Sequence, residues 1–201
     1  MIILEKVDEA QVVLCFLCGE LNSDRFSEKL KSSMEKLNLD CRIILNANLN
    51  DKKENDLRRQ LLGEFRGYGK NEGLFKNFPE VEKYERAKFS IDELKKIKYI
   101  NYSYWNELTD NTSSPLSAAE NIRKGKVVYD VSNQPFLDGV EKLKQGRRFE
   151  PVILLTSDYD SFIILEGHSR MTVYALQSGI INEFEGYILK CDESKLKKWN
   201  S

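Results

Sequence analysis

The sequence has almost no surplus charge and no long hydrophobic run. Lys and Arg number 31 against 32 Asp and Glu, which gives a net charge of −1. A protein that holds nucleic acid mainly by neutralising phosphates has a basic surplus, so this balance disfavours nucleic-acid binding. The apolar runs are too short to cross a bilayer, and the N-terminus lacks the basic start and long apolar region of a secretory signal. We therefore expect a cytoplasmic protein with no membrane partner.

Cysteine is also scarce, with four in the chain. Cys15 and Cys18 have a C-x-x-C spacing, which is typical of zinc and redox sites. Both lie in an apolar segment that we interpret as a buried strand over residues 11–18. Residues three apart on a strand point to opposite faces, which is poor geometry for two ligands of one ion. We predict that both cysteines are buried, reduced and metal-free.

The order of the predicted elements indicates an α/β fold with a mixed sheet. No internal repeat, Pro-rich linker or low-complexity segment interrupts the chain. Apolar residues at helical spacing predict helices, and capping boxes begin at Asp51 and Ser90. The predicted helices span about residues 26–37, 52–66, 91–97, 116–124, 134–145 and 168–177. The predicted strands span residues 11–18, 41–45, 98–105, 151–156, 161–165 and 184–189.

A tight turn at residues 157–160 joins two of these strands. Strands joined by so short a turn must pair antiparallel, which excludes a purely parallel sheet. We place a soft domain boundary near residue 80, where an irregular aromatic loop ends. It divides an N-terminal α/β region, residues 1–80, from a C-terminal domain, residues 81–201. The two parts can still share one core.

The segment with the most chemical information is residues 166–170, hereafter the corner. It leads from the strand at 161–165 into the helix at 168–177. A strand that enters a helix through a glycine leaves free backbone N–H groups at the helix start, where the helix dipole also attracts anions. Glycine permits close approach of a phosphate, and an arginine in the first turn can bind two of its oxygens. The predicted phosphate-binding residues are Gly167, His168, Ser169 and Arg170.

Each of these residues also has an ordinary explanation. A glycine between a strand and a helix is often only a turn residue, and an arginine in the first turn is often only solvated. His168 is the single histidine of the chain, which is weak evidence by itself. The pattern alone leaves both the anion site and the plain turn open.

The C-terminal part resembles the core of the ParB/sulfiredoxin superfamily. Its members have a helix, a strand beginning Pro-Ile, a short hairpin and a Gly-x-x-Arg motif that opens the next helix. The same order occurs here, with a helix at about 136–145, an apolar strand at 149–155, a second strand at 162–165 and then Gly167-His168-Ser169-Arg170. The similarity covers about residues 98–189 and is clearest from residue 136 onward. The resemblance implies a ParB/sulfiredoxin-like C-terminal domain.

The corner distinguishes among the functions of that superfamily. Sulfiredoxins have Gly-Cys-His-Arg with a nucleophilic cysteine, and His168 occupies that position here. ParB proteins have Gly-Glu-Arg-Arg, bind CTP and continue into a helix-turn-helix domain, for which we expect no room after residue 189. The free-serine kinases have Gly-His-His-Arg, which is nearest to this chain. That resemblance implies ATP or ADP with Mg²⁺ as cofactors, Gly167 and Arg170 as phosphate binders, and His168 as a phosphate or catalytic contact.

Further candidates lie outside the phosphate-binding motif. In the superfamily kinases a carboxylate assists catalysis, and the candidates here for a general base or metal ligand are Glu107 and Glu166. A glycine-rich loop is a candidate lid or substrate loop through Arg66, Tyr68 and Lys70. The alternative for this loop is a helix stop with an aromatic plug. Three segments, residues 65–69, 101–108 and 166–176, also resemble a wider bacterial family, a similarity that implies no activity.

The leading hypothesis is a nucleotide- or phosphate-binding protein, in its most concrete form a small-molecule phosphotransferase. The alternative is a non-enzymatic interaction or regulatory module that retains the ParB-like fold. A nucleic-acid-binding protein or nuclease is a third, disfavoured hypothesis. The expected ligand is a small molecule or a nucleotide, while the substrate and the oligomeric state are left open by the sequence.

Overall fold

A computed structural model describes residues 1–23, 25–177 and 179–201 of the chain. Within these residues, six strands form one sheet in the spatial order β1-β2-β6-β4-β5-β3. The β4–β6 and β3–β5 pairs are parallel and the other pairs are antiparallel, so the predicted mixed α/β sheet is confirmed. The strands are β1 (Ile2–Lys6), β2 (Val81–Ser90), β3 (Ile97–Lys98), β4 (Val152–Thr156), β5 (Phe162–Glu166) and β6 (Glu183–Cys191).

The helices fall into two groups by their packing. The first four helices pack mainly among themselves, whereas α6 and α7 both pack on α8. Short 3₁₀ helices at Gly73–Phe75 and Ile91–Lys96 complete the elements. The helices are α1 (Glu9–Leu21), α2 (Ser27–Lys36), α3 (Arg42–Leu45), α4 (Lys52–Arg66), α5 (Ser103–Leu108), α6 (Pro115–Arg123), α7 (Gln134–Lys144), α8 (His168–Leu176) and α9 (Glu193–Trp199).

The predicted hairpin β4–β5 is confirmed. Leu154 pairs with Ile164 in the antiparallel ladder. In the turn, the Asp158 carboxylate accepts hydrogen bonds from the N–H groups of Asp160 (2.8 Å) and Ser161 (3.0 Å). These bonds favour the ionised carboxylate and lower the pKa of Asp158. Local turn chemistry therefore fixes the strand that leads into the corner.

Helix α4 begins and ends at the capping residues that the sequence predicts. The Asp51 side chain accepts from the backbone N–H groups of Lys53 and Glu54, which satisfies two donors at the helix start. At the other end, Gly67 adopts the left-handed conformation with φ of 89°. The predicted helices α2, α6, α7 and α8 are confirmed in the same way, and the Ser90–Glu93 capping box opens the 3₁₀ helix at Ile91–Lys96.

Residues 11–18 form part of helix α1, so the predicted strand is wrong. Asp8 and Gln11 make a capping box at its start, in which the Asp8 N–H donates to the Gln11 side chain at 3.0 Å. An apolar run packed into a core has the same composition in a helix and in a strand, so periodicity could not separate them. Cys15 is buried and Cys18 half-buried on this helix, and burial raises the pKa of both thiols, that of Cys18 to about 11.

Two further strand predictions also fail. Residues 42–45 form the short helix α3, which is held by the buried Arg58 through a 2.8 Å hydrogen bond to the Ile43 carbonyl. Of residues 98–105, only Lys98 belongs to a strand, and α5 begins at Ser103. The edge strand β1, the long strand β2 and the C-terminal helix α9 were not predicted.

One hydrophobic core joins residues from both sides of position 80. Leu17, Leu30 and Leu61 of the N-terminal helices belong to the same buried cluster as Leu154 and Ile188 of the sheet. Strand β1 also pairs with β2 across the proposed boundary. The boundary near residue 80 stays a prediction. Among the described residues, no helix is both long and apolar enough to cross a membrane.

Candidate functional site

The corner forms where β5 ends and α8 begins. Gly167 lies between them with φ of 98°, a conformation that side chains rarely adopt. A Cβ atom at this position would stand 2.7 Å from Val152 Cγ1 and 3.0 Å from Arg170 Nη2. The chain therefore requires glycine here, both for its conformation and for the close approach of the Arg170 guanidinium.

Helix α8 begins with donors that its own backbone ladder does not use. Its first α-helical bond runs from the Met171 N–H to the Gly167 carbonyl at 2.9 Å. No side chain in the described part of the chain caps this helix, and Ser169 is exposed on its first turn. The N–H groups of residues 168–170 therefore precede the ladder, as the anion-site hypothesis requires.

Arg170 folds back over Gly167, as predicted, but its partner is a carboxylate. Its guanidinium donates to Glu166 at i,i+4 spacing, and the two side chains are only 15% and 13% exposed. Burial raises the pKa of Glu166 to about 7, although the positive charge of Arg170 opposes that rise. Glu166, a predicted general base or metal ligand, is therefore engaged by the predicted phosphate-binding arginine.

A second buried ion pair connects helices α1 and α4. Arg66 Nε donates to Glu20 Oε1 at 3.0 Å, and a second guanidinium nitrogen contacts the same carboxylate. The guanidinium carbon of Arg66 lies 4.0 Å from the ring centroid of Phe26, within the range of a cation–π contact. Burial raises the pKa of Glu20 by more than the positive charge of Arg66 lowers it, so the pKa is raised overall. Arg66 is thus fixed by a carboxylate and an aromatic ring.

The two ion pairs are neighbours and form one charged cluster, defined as Glu20, Arg66, Glu166 and Arg170. The Glu166 carboxylate lies against Gly19, where an added Cβ atom would be 2.9 Å from Glu166 Oε1. Arg170 lowers the pKa of Glu20, and Glu20 raises that of Glu166. The cluster joins residues from both halves of the chain. It has no net charge when all four groups are ionised, because it contains two arginines and two glutamates.

His168 lies beside this cluster in an aromatic stack. Its ring is 5.4 Å from that of Trp105, with the planes 15° apart, and Trp105 stacks in turn on Tyr99 at 4.3 Å. The Tyr99 hydroxyl is 2.7 Å from Thr172 Oγ1 on α8, which anchors the stack. Burial, followed by the positive charges of Arg66 and Arg170, lowers the pKa of His168 to about 3. His168 is therefore neutral at physiological pH, and its buried Nε2 has no hydrogen-bond partner among the described residues.

The structure leaves three predicted site residues outside this arrangement. Glu107 is exposed on α5, where its carboxylate is 4.0 Å from Lys126 Nζ. Lys70 pairs with Glu64 at 3.1 Å on the surface. The Tyr68 hydroxyl donates to Glu9, and its ring packs edge-on against Phe75 at 4.8 Å. Of the three predicted loop residues, Arg66 lies near the corner, Lys70 lies on the surface, and Tyr68 belongs to the aromatic plug that was the alternative.

The sequence analysis missed two elements of the site. Glu20 lies outside the predicted elements, because the strand predicted at residues 11–18 ends before it and no predicted helix reaches position 20. The spacing of Asp8 and Gln11 is a capping-box signal that would have predicted α1. Phe26 begins the helix predicted over residues 26–37, and its ring supports Arg66. The described residues contain no group of three or more His, Cys, Asp or Glu side chains placed to hold a metal ion.

Comparisons with known proteins leave the family open. No protein-family model, curated protein or solved structure matches the chain. The structure has the hairpin and the glycine-led helix that the ParB/sulfiredoxin resemblance implies, but these features occur in many folds. The family assignment therefore stays a prediction.

Proposed function

We propose that this protein binds a nucleotide or another phosphate compound at the start of α8. The observation that carries the proposal is the convergence of Arg66 and Arg170 beside the uncapped helix start and the neutral His168. Two guanidinium groups and several backbone N–H groups are the donors that phosphate prefers. The similarity of residues 167–170 to the phosphate-binding motif of the ParB/sulfiredoxin superfamily supports the same ligand class.

The carboxylates of the charged cluster define how such a ligand would bind. Glu20 and Glu166 accept hydrogen bonds from guanidinium N–H groups that phosphate oxygens would otherwise engage, because carboxylate and phosphate bind to the same donor fork. A ligand must therefore displace a carboxylate or bind when it is protonated. Since the pKa of Glu166 is about 7, its protonation requires little free energy near neutral pH.

The enzymatic form of this proposal is a small-molecule phosphotransferase using ATP or ADP with Mg²⁺. His168 would then act as a neutral hydrogen-bonding group on the phosphate rather than as a cation, because its pKa is about 3. Glu166 belongs to the corner and Glu107 is turned toward Lys126, so Glu166 is the better candidate base.

A non-enzymatic interaction or regulatory module is the second candidate. The observation that favours it is that both arginines of the charged cluster already pair with carboxylates without a ligand. In that case the cluster would join the N-terminal helices to α8 and stabilise a surface for another molecule. Arg66 and Arg170 would then be structural residues.

Calorimetric titration with ATP, ADP and CTP, with and without Mg²⁺, separates the two candidates. Loss of one charge-assisted hydrogen-bonding group corresponds to roughly 1.5–3 kcal/mol. We therefore expect Arg170→Ala and Arg66→Ala to weaken binding by about ten- to a hundred-fold. Arg42→Ala is the matched control, because Arg42 is exposed and, among the described residues, pairs only with the neighbouring Asp40.

Folding of each variant is checked by circular dichroism, and Arg170→Lys keeps the positive charge if Arg170→Ala unfolds. Equal nucleotide affinity in the wild type and in the folded Arg170 and Arg66 variants would contradict the proposed site. No binding of any of these nucleotides at millimolar concentration would favour the interaction module.

A further inference from the structure

A cleft lies between three segments that the proposed function does not use. The loop after α4, the turn before α5 and the end of α9 enclose about 300 Å³. This volume is at the lower limit of pockets that bind small molecules. Its lining includes the side chains of Lys76, Asn101, Lys198, Trp199 and Asn200.

Direct contacts hold the walls of the cleft together. The Trp199 indole N–H donates to the Leu74 carbonyl at 2.9 Å, which fixes α9 to the loop after α4. The Asn101 N–H donates to Asn200 Oδ1 at 2.9 Å, which fixes α9 to the turn before α5. The ring of Trp199 also packs perpendicular to that of Phe78 at 5.5 Å. The cleft is therefore formed by connected walls rather than by loose loops.

The lining of the cleft is rich in donors and positively charged. Among the ion pairs of the described residues, none includes Lys76 or Lys198, whereas the neighbouring Lys195 and Lys197 pair with glutamates. No Asp or Glu belongs to the described residues that line the cleft. Lys76 and Lys198 thus place two ammonium groups without an ion-pair partner among the described residues at one cleft, which favours an anionic ligand.

The asparagines contribute further donors. Asn101 Oδ1 accepts from Asn106 Nδ2 at 2.7 Å, and Asn200 Oδ1 accepts from the Asn101 N–H. Since both amide oxygens are engaged, the two Nδ2 groups are the ends left to donate. Donors from two lysines and two amides suit carboxylate or phosphate oxygens.

We propose that this cleft is a second binding site, which takes a small organic oxyanion such as a di- or tricarboxylate or a phosphate ester. Lys76 and Lys198 neutralise the ligand, and the Asn101 and Asn200 amides orient it. The site also accounts for residues of the segment 101–108 that the charged cluster does not use, since Asn101 and Tyr102 line the cleft.

The two tryptophans of the chain allow the two sites to be examined separately. Trp105 stacks on His168 at the corner, whereas Trp199 lines the cleft. A Trp105→Phe variant therefore reports on the cleft alone. We would titrate it with citrate, inorganic phosphate and ATP at constant ionic strength, using chloride as the reference anion. We expect a saturable change in Trp199 fluorescence with at least one probe, and the responding probe distinguishes a carboxylate from a phosphate ligand.

The double variant Lys76→Gln/Lys198→Gln, made in the same Trp105→Phe background, should weaken this binding at least tenfold. The matched control is Lys195→Gln/Lys197→Gln, which also removes two positive charges. Both of its residues are on α9 but outside the cleft lining, so the affinity should be unchanged. If Trp105→Phe does not fold, the Trp199 indole N–H signal of the otherwise wild-type protein gives the same titration by NMR. No saturable response below about 10 mM, or equal affinity in the two double variants, would overturn the proposal.

Discussion

Trp105 stacks on His168 with their ring centroids 5.4 Å apart, although 62 positions separate them in the sequence. The contact places the only histidine of the chain against an aromatic face and beside two arginines. Both effects disfavour a charged imidazole, because burial removes water and the guanidinium groups repel a third positive charge. The corner is therefore rich in hydrogen-bonding groups while its histidine stays neutral.

The first prediction concerns this neutral histidine. With a pKa of about 3, His168 should give an NMR signal that does not titrate between pH 8 and 5. Its folded-state pKa lies below the unfolded value near 6.5. It therefore contributes stability above pH 6.5 that is lost as the pH falls toward 3, at up to about 1.4 kcal/mol per pH unit.

His168→Gln should reduce this acid-side loss of stability, measured by urea unfolding between pH 7 and 4. The single histidine makes the NMR assignment unambiguous. A titration midpoint near 6.5 in the folded protein would show that the ring is hydrated, contrary to the stacked arrangement.

The second prediction concerns the pH dependence of anion binding. Because the pKa of Glu166 is raised to about 7, protonation below that pH weakens its hold on Arg170. Sulfate, which keeps its charge in this range, should bind more tightly at pH 6 than at pH 8. Glu166→Gln should bind sulfate more tightly than wild type at pH 8, with a smaller difference at pH 6. A wild-type affinity that does not change with pH would contradict the displacement of Glu166.

The same group affects stability in a defined direction. The folded-state pKa of Glu166 lies above the unfolded value near 4.3. Its contribution is therefore fully present below about pH 4 and is lost as the pH rises through 7. The difference in stability between Glu166→Gln and wild type should therefore shift in favour of the variant as the pH rises from 5 to 8, as measured by urea unfolding at each pH.

The third prediction tests the buried pair Glu166–Arg170. Arg170→Met leaves the Glu166 carboxylate buried without its partner, which should cost about 3–5 kcal/mol of unfolding free energy. The double variant Glu166→Gln/Arg170→Met should cost less than the sum of the single changes, by on the order of 1–3 kcal/mol. The exposed pair Glu120–Lys124 has the same i,i+4 spacing and serves as the control, with a much smaller expected coupling. Additive effects at Glu166 and Arg170 would contradict the buried pair.

The fourth prediction concerns the glycine of the corner. Gly167→Ala combines a left-handed backbone with a contact of 2.7 Å to Val152. Gly146→Ala meets the same kind of backbone strain, with φ of 82°, but its Cβ would have no neighbour within 4 Å. We expect the strain alone, as in Gly146→Ala, to lower the free energy of unfolding by about 1–3 kcal/mol, and Gly167→Ala to lower it clearly more. Equal losses in urea unfolding would mean that the close approach to Val152 and Arg170 is unimportant.

Local sequence signals were sufficient for the corner itself. The turn chemistry of Asp158, the left-handed Gly167 and the helical spacing after it all act over a few residues. A sequence window contains all the atoms that decide such features, so the hairpin β4–β5 and helix α8 were predicted correctly. The Asp51 cap and the Gly67 stop of α4 were predictable for the same reason.

The interpretation of residues 11–18 failed because its deciding contacts are distant in sequence. Cys15 Sγ lies 3.3 Å from the Pro151 carbonyl, and Gly19 meets the Glu166 carboxylate. A fully apolar run is compatible with either a buried helix or a buried strand, and only its packing partners choose between them. Strand β2 was missed because its charged residues pair across the sheet, as Arg86 does with Glu185 at 2.6 Å.

The sequence by itself determined the mixed α/β class, the antiparallel hairpin and the glycine-led start of α8, because each depends on neighbouring residues. Only the tertiary structure decided which residues share the site. It brought Glu20 and Arg66 to Glu166 and Arg170, stacked Trp105 on His168, and turned Glu107 and Lys70 away. The contacts that bring Glu20 to Glu166 and Trp105 to His168 join residues separated by long stretches of chain, because buried groups require partners that local sequence does not specify.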